Sequence, residues 1–125
     1  MPRKSILLID DEDDIREVAT LTLELTCDWD VIAVGSGRDG IAMARQLTPD
    51  AILLDVMMPD LDGPSTLAAL QDDAATRGIP VIFLTAKVQS SDRQRFHQLG
   101  VRGVIAKPFD PMALGGLVAG ILEWV

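Results

Sequence analysis

The chain has 125 residues, 48% hydrophobic and 24% charged, the composition of one globular domain and too short for two. With 19 acidic residues against 11 basic ones it carries a net charge of −8, which repels a phosphate backbone and argues against direct nucleic-acid binding. No apolar run approaches the roughly 20 residues that cross a bilayer.

Residues 5–9 (Ser-Ile-Leu-Leu-Ile) read as a first strand, too short for a signal-peptide core. Five acids follow, Asp10 to Asp14. Such a run is either a solvated loop or a cation site, and its place directly after an apolar strand favours the second. Asp13 or Asp14 is placed to cap a helix, with Glu17 three residues after Asp14. In that helix Ile15, Val18, Leu21 or Thr22, and Leu25 recur at helical spacing and form the expected buried face. Cys27, the single cysteine, excludes an internal disulfide, fits a reducing cytoplasm and reads as a small packing residue.

Residues 29–34 form a second expected strand. Ser36, with Asp39 three residues on, opens a second helix whose Gly40, Ile41, Ala44 and Leu47 can face the sheet, and Pro49 stops it. Residues 51–54 are a short apolar run leading into Asp55 and then Pro59 and Gly63. That pattern predicts a buried strand ending in a loop. Gly63-Pro64 starts a third helix, with Leu67 and Leu70 on its apolar face. Residues 81–84 form a fourth strand ending at Thr85. A fourth helix begins near Ser91, with Gln94 at capping-box spacing, and stops at Gly100; its apolar content is thin, chiefly Phe96 and Leu99. Residues 104–106 form a fifth strand ending at Lys107-Pro108, and a last helix runs from 112 to about 124.

Strands alternating with helices, five of each, predict a parallel sheet covered on both faces. In such a sheet the strand ends share one edge, where ligands bind. Asp10 and Asp11, Asp55, Thr85 and Lys107 would then converge. Each has a plain alternative by itself: Asp55 as a loop cap, Thr85 as a β-branched strand residue, Lys107 as a side chain reaching solvent. The ordered set is what points to chemistry. A carboxylate such as Asp55 can attack phosphorus and form an acyl phosphate, and clustered carboxylates suit a hard ion such as Mg²⁺. His97, in the weak fourth helix and far from the strand ends, reads as a surface or packing residue. Met43, Met57, Met58 and Met112 read as packing.

Ile-Asp-Asp-Glu (9–12), Leu-Leu-Asp-Val-Met-Met-Pro-Asp-Leu-Asp-Gly (53–63), Leu-Thr-Ala (84–86) and Lys-Pro-Phe (107–109) stand in the order of the motifs of two-component receiver domains. The chain resembles that family over essentially its full length, 1–125, as a single domain. The resemblance implies a flavodoxin-like (βα)5 sandwich with strand order 2-1-3-4-5. It implies that Asp55 accepts a phosphoryl group from a sensor histidine kinase or a histidine phosphotransfer protein and thereby switches binding of an output protein. It implies Mg²⁺ held directly by Asp11, Asp55 and the backbone carbonyl of Met57, with Asp10 acting through a water. Thr85 would hydrogen-bond a phosphoryl oxygen. Lys107, after a cis peptide bond to Pro108, would pair with Asp55 before transfer and with the phosphoryl group afterwards. Ala86 leaves room for the donor. A cytoplasmic regulator follows, with no membrane contact, no direct nucleic-acid contact and no effector domain after Val125: a stand-alone regulator, a relay shuttle, or a receiver cut from a longer protein.

Rivals fit less well. An aspartyl phosphatase of the haloacid dehalogenase type needs a second Asp two residues after the nucleophile, where this chain has Met57. A flavodoxin would set its flavin phosphate against Asp10, Asp11 and Glu12, which repel it. One departure from the receiver pattern is Val104, where the family commonly has Tyr or Phe; Val is too short for the inward swing by which that aromatic is read.

Overall fold

The computed structural model describes residues 3–124, so the terminal positions of the expected 1–125 unit lie outside the described residues. Ten elements alternate: β1 (Ser5–Ile9), α1 (Asp13–Cys27), β2 (Asp30–Val34), α2 (Gly37–Leu47), β3 (Ala51–Asp55), α3 (Gly63–Gln71), β4 (Val81–Thr85), α4 (Ser90–Leu99), β5 (Gly103–Ala106) and α5 (Pro111–Leu122). The strands form one parallel sheet in the order β2-β1-β3-β4-β5, the expected flavodoxin-like arrangement.

Side chains alternate across each strand, and the sheet therefore feeds two cores. Leu7, Ile9, Ile52, Leu54 and Phe83 pack with α2, α3 and α4 through Ala44, Leu67, Leu70 and Phe96. Ile6, Leu8, Leu53, Ile82, Leu84 and Ile105 pack with α1 and α5 through Ala19, Leu23, Leu114 and Val118. With both faces covered, β1, β3 and β4 read as the near-continuous apolar runs that parallel sheets require. α2 lies close enough on β1 that a Cβ at Gly40 would meet Ile9 Cδ1 at 2.3 Å.

Several local expectations are corrected. The N-cap of α1 is Glu12, with no side-chain cap bond, rather than Asp13 or Asp14. Its buried residues are Ala19 and Leu23, whereas Val18, Leu21 and Leu25 are exposed. α4 is capped by Gln89 without a side-chain bond, so the capping box at Ser91 and Gln94 does not form. α5 begins at Pro111, is capped by Asp110 accepting from Met112 N (3.0 Å), and ends at Leu122. Leu47, Met57 and Met112 are exposed rather than packed. The Ser36 cap holds as expected, its hydroxyl accepting from Asp39 N at 3.1 Å. Among the described residues, no helix is long and apolar enough to cross a membrane.

Candidate functional site

Parallel strands deliver their last residues to one edge. Asp10 follows β1, Asp55 ends β3, Thr85 ends β4 and Lys107 follows β5. Asp10, Asp55 and Thr85 are each almost fully buried, at 0%, 3% and 1% exposure, so their polar groups need hydrogen-bond or ionic partners within the fold.

Lys107 supplies most of them. Its Nζ donates to Asp10 Oδ2 at 2.7 Å and to Glu12 Oε1 at 3.3 Å, and lies 3.3 Å from Asp55 Oδ1. The nearest partner is thus Asp10 rather than Asp55, and Glu12 joins the network although sequence reasoning left it out. Glu12 stands inside the acidic run, one residue past the pair singled out, and that proximity was the available signal. The Lys107–Pro108 peptide is cis. Backbone bonds fix the strand ends: Asp10 N donates to Val34 O (3.1 Å), Val56 N to Leu84 O (3.1 Å) and Lys107 N to Thr85 O (2.9 Å). Asp10 Oδ1 also accepts from Glu12 N at 2.9 Å, closing a turn around the first acid. Thr85 Oγ1 accepts from Lys87 N at 3.0 Å, which leaves its own proton to donate. Ala86 is exposed beside it.

The turn after β3 is equally constrained. A Cβ at Gly63 would sit 2.7 Å from both Asp55 O and Val56 Cα, so only glycine lets the start of α3 close on the strand end. Gly63 N donates to Val56 O at 2.9 Å, and Asp62 caps α3 by accepting from Ser65 N at 2.8 Å. Sequence reasoning began this helix at Gly63 and missed the Asp62 cap.

Electrostatics follow from this crowding. Burial, and then the charge of Asp10, push the Asp55 carboxyl up to about 6 against the pull of Lys107. Burial works against the Lys107 ammonium too, but the hydrogen bond and charge of Asp10, with Asp55 and Glu12, outweigh it and hold its pKa above the usual lysine value.

One carboxylate oxygen from each of Asp10, Asp11 and Asp55 lies within 4.8 Å of the others. An all-oxygen donor set of this kind suits hard divalent cations rather than softer metals. Both Asp10 oxygens already accept hydrogen bonds, leaving Asp11 and Asp55 as the freer ligands. Asp55 Oδ1 is 3.4 Å from Met57 N, so the Met57 backbone lies beside the cluster. Val104 is buried among Phe83, Phe96 and Val101 and contributes no polar group. His97 is exposed on α4, away from these strand ends.

The family model described as the response regulator receiver domain matches residues 6–119. The chain is similar to the DNA-binding dual master transcriptional regulator RpaA of Synechocystis sp., with 40% identity over 123 residues covering 98% of this chain and 50% of that protein. It spans about half the length of this and other curated relatives it matches. Among solved structures it is similar to the chemotaxis protein CheY4 of Vibrio cholerae, with TM-score 0.89 and 26% identity, covering 96% of this chain and 99% of that one. It is also similar to the receiver domain of a sensor histidine kinase from Pseudomonas aeruginosa, which holds a magnesium ion in its active-site cleft. That match has TM-score 0.84 and 29% identity and covers 98% of this chain and 99% of that one.

Proposed function

The chain belongs to the response regulator receiver family and is a phospho-acceptor of two-component signalling; from that premise we propose that Asp55 is the acceptor, charged from a phosphohistidine of a sensor kinase or phosphotransfer protein. The observation that carries this reading is the convergence of Asp55 with Asp10, Asp11, Thr85 and Lys107 at one sheet edge.

In the transfer, an Asp55 carboxylate oxygen attacks phosphorus as the phosphorus–nitrogen bond breaks. The bonding pair leaves with the imidazole, and an acyl phosphate remains on Asp55. Lys107, cationic at neutral pH, is near enough to exchange its contact with Asp55 for one with a phosphoryl oxygen. Thr85 donates its free proton to another. Asp11, Asp55 and the Met57 carbonyl would hold Mg²⁺, with Asp10 behind a bridging water, and the bound ion supplies charge neutralisation for carboxylates and phosphoryl oxygens. Hydrolysis of the acyl phosphate by water returns the switch to its starting state.

We place the whole chain in a single receiver unit that acts in the cytoplasm and passes its state to an output protein by partner binding. The net charge of −8 supports a role without direct nucleic-acid contact by this chain. Intact mass after incubation with acetyl phosphate and Mg²⁺ tests the central assignment. Wild type should gain one acid-labile phosphoryl group, and Asp55→Asn or chelation should abolish the gain. An undiminished yield in Asp55→Asn moves the acceptor elsewhere.

A further inference from the structure

Arg16, on the first turns of α1, is the cation closest in sequence to the acidic run, yet its contacts are not those of a surface counter-charge. Its side chain is 24% exposed. Nη1 donates to the backbone carbonyl of Asp10 at 2.8 Å, and Nη2 pairs with Asp13. The guanidinium lies against Gly35, just past β2, where a Cβ would stand 3.0 Å from Nη1 and 3.4 Å from Cζ. Gly35 is not in the left-handed region, so it is room for Arg16, not backbone conformation, that a side chain there would remove.

These contacts bear on the two peptides flanking Asp10: Asp10 N, in the peptide from Ile9, is held by Val34 O, and Asp10 O, in the peptide to Asp11, is held by Arg16. The peptide joining Asp10 to Asp11 is planar, so fixing its carbonyl fixes the direction in which Asp11 leaves β1. Asp11 is an exposed member of the carboxylate cluster, and its reach toward Asp55 depends on that direction.

We propose that Arg16 is a positioning residue for the metal-binding acids: with its guanidinium seated against Gly35, it holds the Asp10 carbonyl from the first turn of α1 so that Asp11 is presented to Asp55. This inference rests on the phospho-acceptor reading of the site. A surface ion pair alone predicts little effect of its loss. Charge alone predicts the opposite sign: deleting a cation beside a cation site strengthens Mg²⁺ binding. Positioning predicts weaker binding.

Calorimetric titration with Mg²⁺ separates these cases. Arg16→Met, which keeps an apolar stem, should weaken Mg²⁺ binding roughly tenfold, the scale seen when groups orienting metal ligands are removed. Arg16→Lys keeps the charge but cannot hold the Asp10 carbonyl and Asp13 together, and should weaken it too. Gly35→Ala should weaken binding in the wild-type background and have no effect beside Arg16→Met, because it acts only by displacing the guanidinium. Unchanged or tighter Mg²⁺ binding in Arg16→Met, or the same Gly35→Ala factor in both backgrounds, overturns the proposal. If Arg16→Met fails to fold, unchanged binding in both Arg16→Lys and Gly35→Ala overturns it equally. Wild type that binds no Mg²⁺ instead sinks the metal reading itself and this inference with it.

Discussion

At the scale of single residues, Asp55 carries a conflict: it is almost fully buried at its strand end, yet the acceptor role proposed for it requires a charged carboxylate. Its carboxyl pKa is raised to about 6 by burial and by Asp10, against an ordinary value near 4. The folded chain therefore binds this proton more tightly than the unfolded chain, and ionising Asp55 destabilises the fold as pH rises through about 6. Asp55→Asn should be more stable than wild type at pH 7.5 by up to about 3 kcal/mol, with the difference shrinking to little below pH 4. Urea unfolding without divalent metal at the two pH values checks this, and a pH-independent difference would refute it. The place of Asp55 at the end of a buried strand was legible in the sequence, because an apolar run closing on one carboxylate is a local pattern; that stretch by itself left a loop cap equally open. The pairing of Lys107 with Asp10 and Glu12 was not legible, since those contacts span 97 and 95 positions, and only the register of β1, β3, β4 and β5 brings them together.

Among the elements, α1 and α4 are where the sequence speaks least clearly. α1 carries two stripes at helical spacing. The larger side chains Val18, Leu21 and Leu25 are exposed, while Ala19, Leu23 and the half-buried Cys27 face inward. Periodicity cannot choose between stripes; the partner does. α5 offers Gly115, where a Cβ would meet Cys27 Sγ at 2.1 Å, so the small-residue side is the one that fits. α4 lacks a side-chain cap and buries only Phe96, which meets Phe83 edge to face at a centroid distance of 5.1 Å. Phe96→Ala should cost about 3–5 kcal/mol and release α4 first. Hydrogen exchange should lose protection over 90–99 while β1 and β3 retain theirs; uniform loss across the sheet would show that α4 is not separately held. A helix this weakly fastened beside β5 is the element that the proposed phosphorylation is best placed to shift. Val104 sits in the same core and is too short for the aromatic swing common in the family at that position.

For the molecule as a whole, the alternation of strands and helices made the two-faced sheet and its functional edge readable, because a parallel sheet with right-handed crossovers admits few other arrangements. That architecture collects Asp10, Asp11 and Asp55 at one edge of a chain whose net charge is already −8, with Lys107 as a cation shared by Asp10 and Asp55. Two like charges about 5 Å apart at an effective dielectric near 20 repel by roughly 3 kcal/mol, a ceiling at a wetted rim. The metal-free fold therefore carries strain that a bound cation removes. Mg²⁺ requires the assembled cluster, so it should raise the melting temperature with concentration, the stabilisation reaching about 1.4 kcal/mol at tenfold excess over its dissociation constant. Asp11→Ala should erase most of that response. Asp11 is exposed and loses little packing when truncated, so relief of repulsion decides the sign, and the metal-free variant should melt no lower than wild type. Paired thermal melts with and without millimolar Mg²⁺ read both outcomes. A full metal-induced shift in Asp11→Ala would put the ion elsewhere, and a lower metal-free melting temperature would mean that Asp11 stabilises the loop more than it strains the cluster.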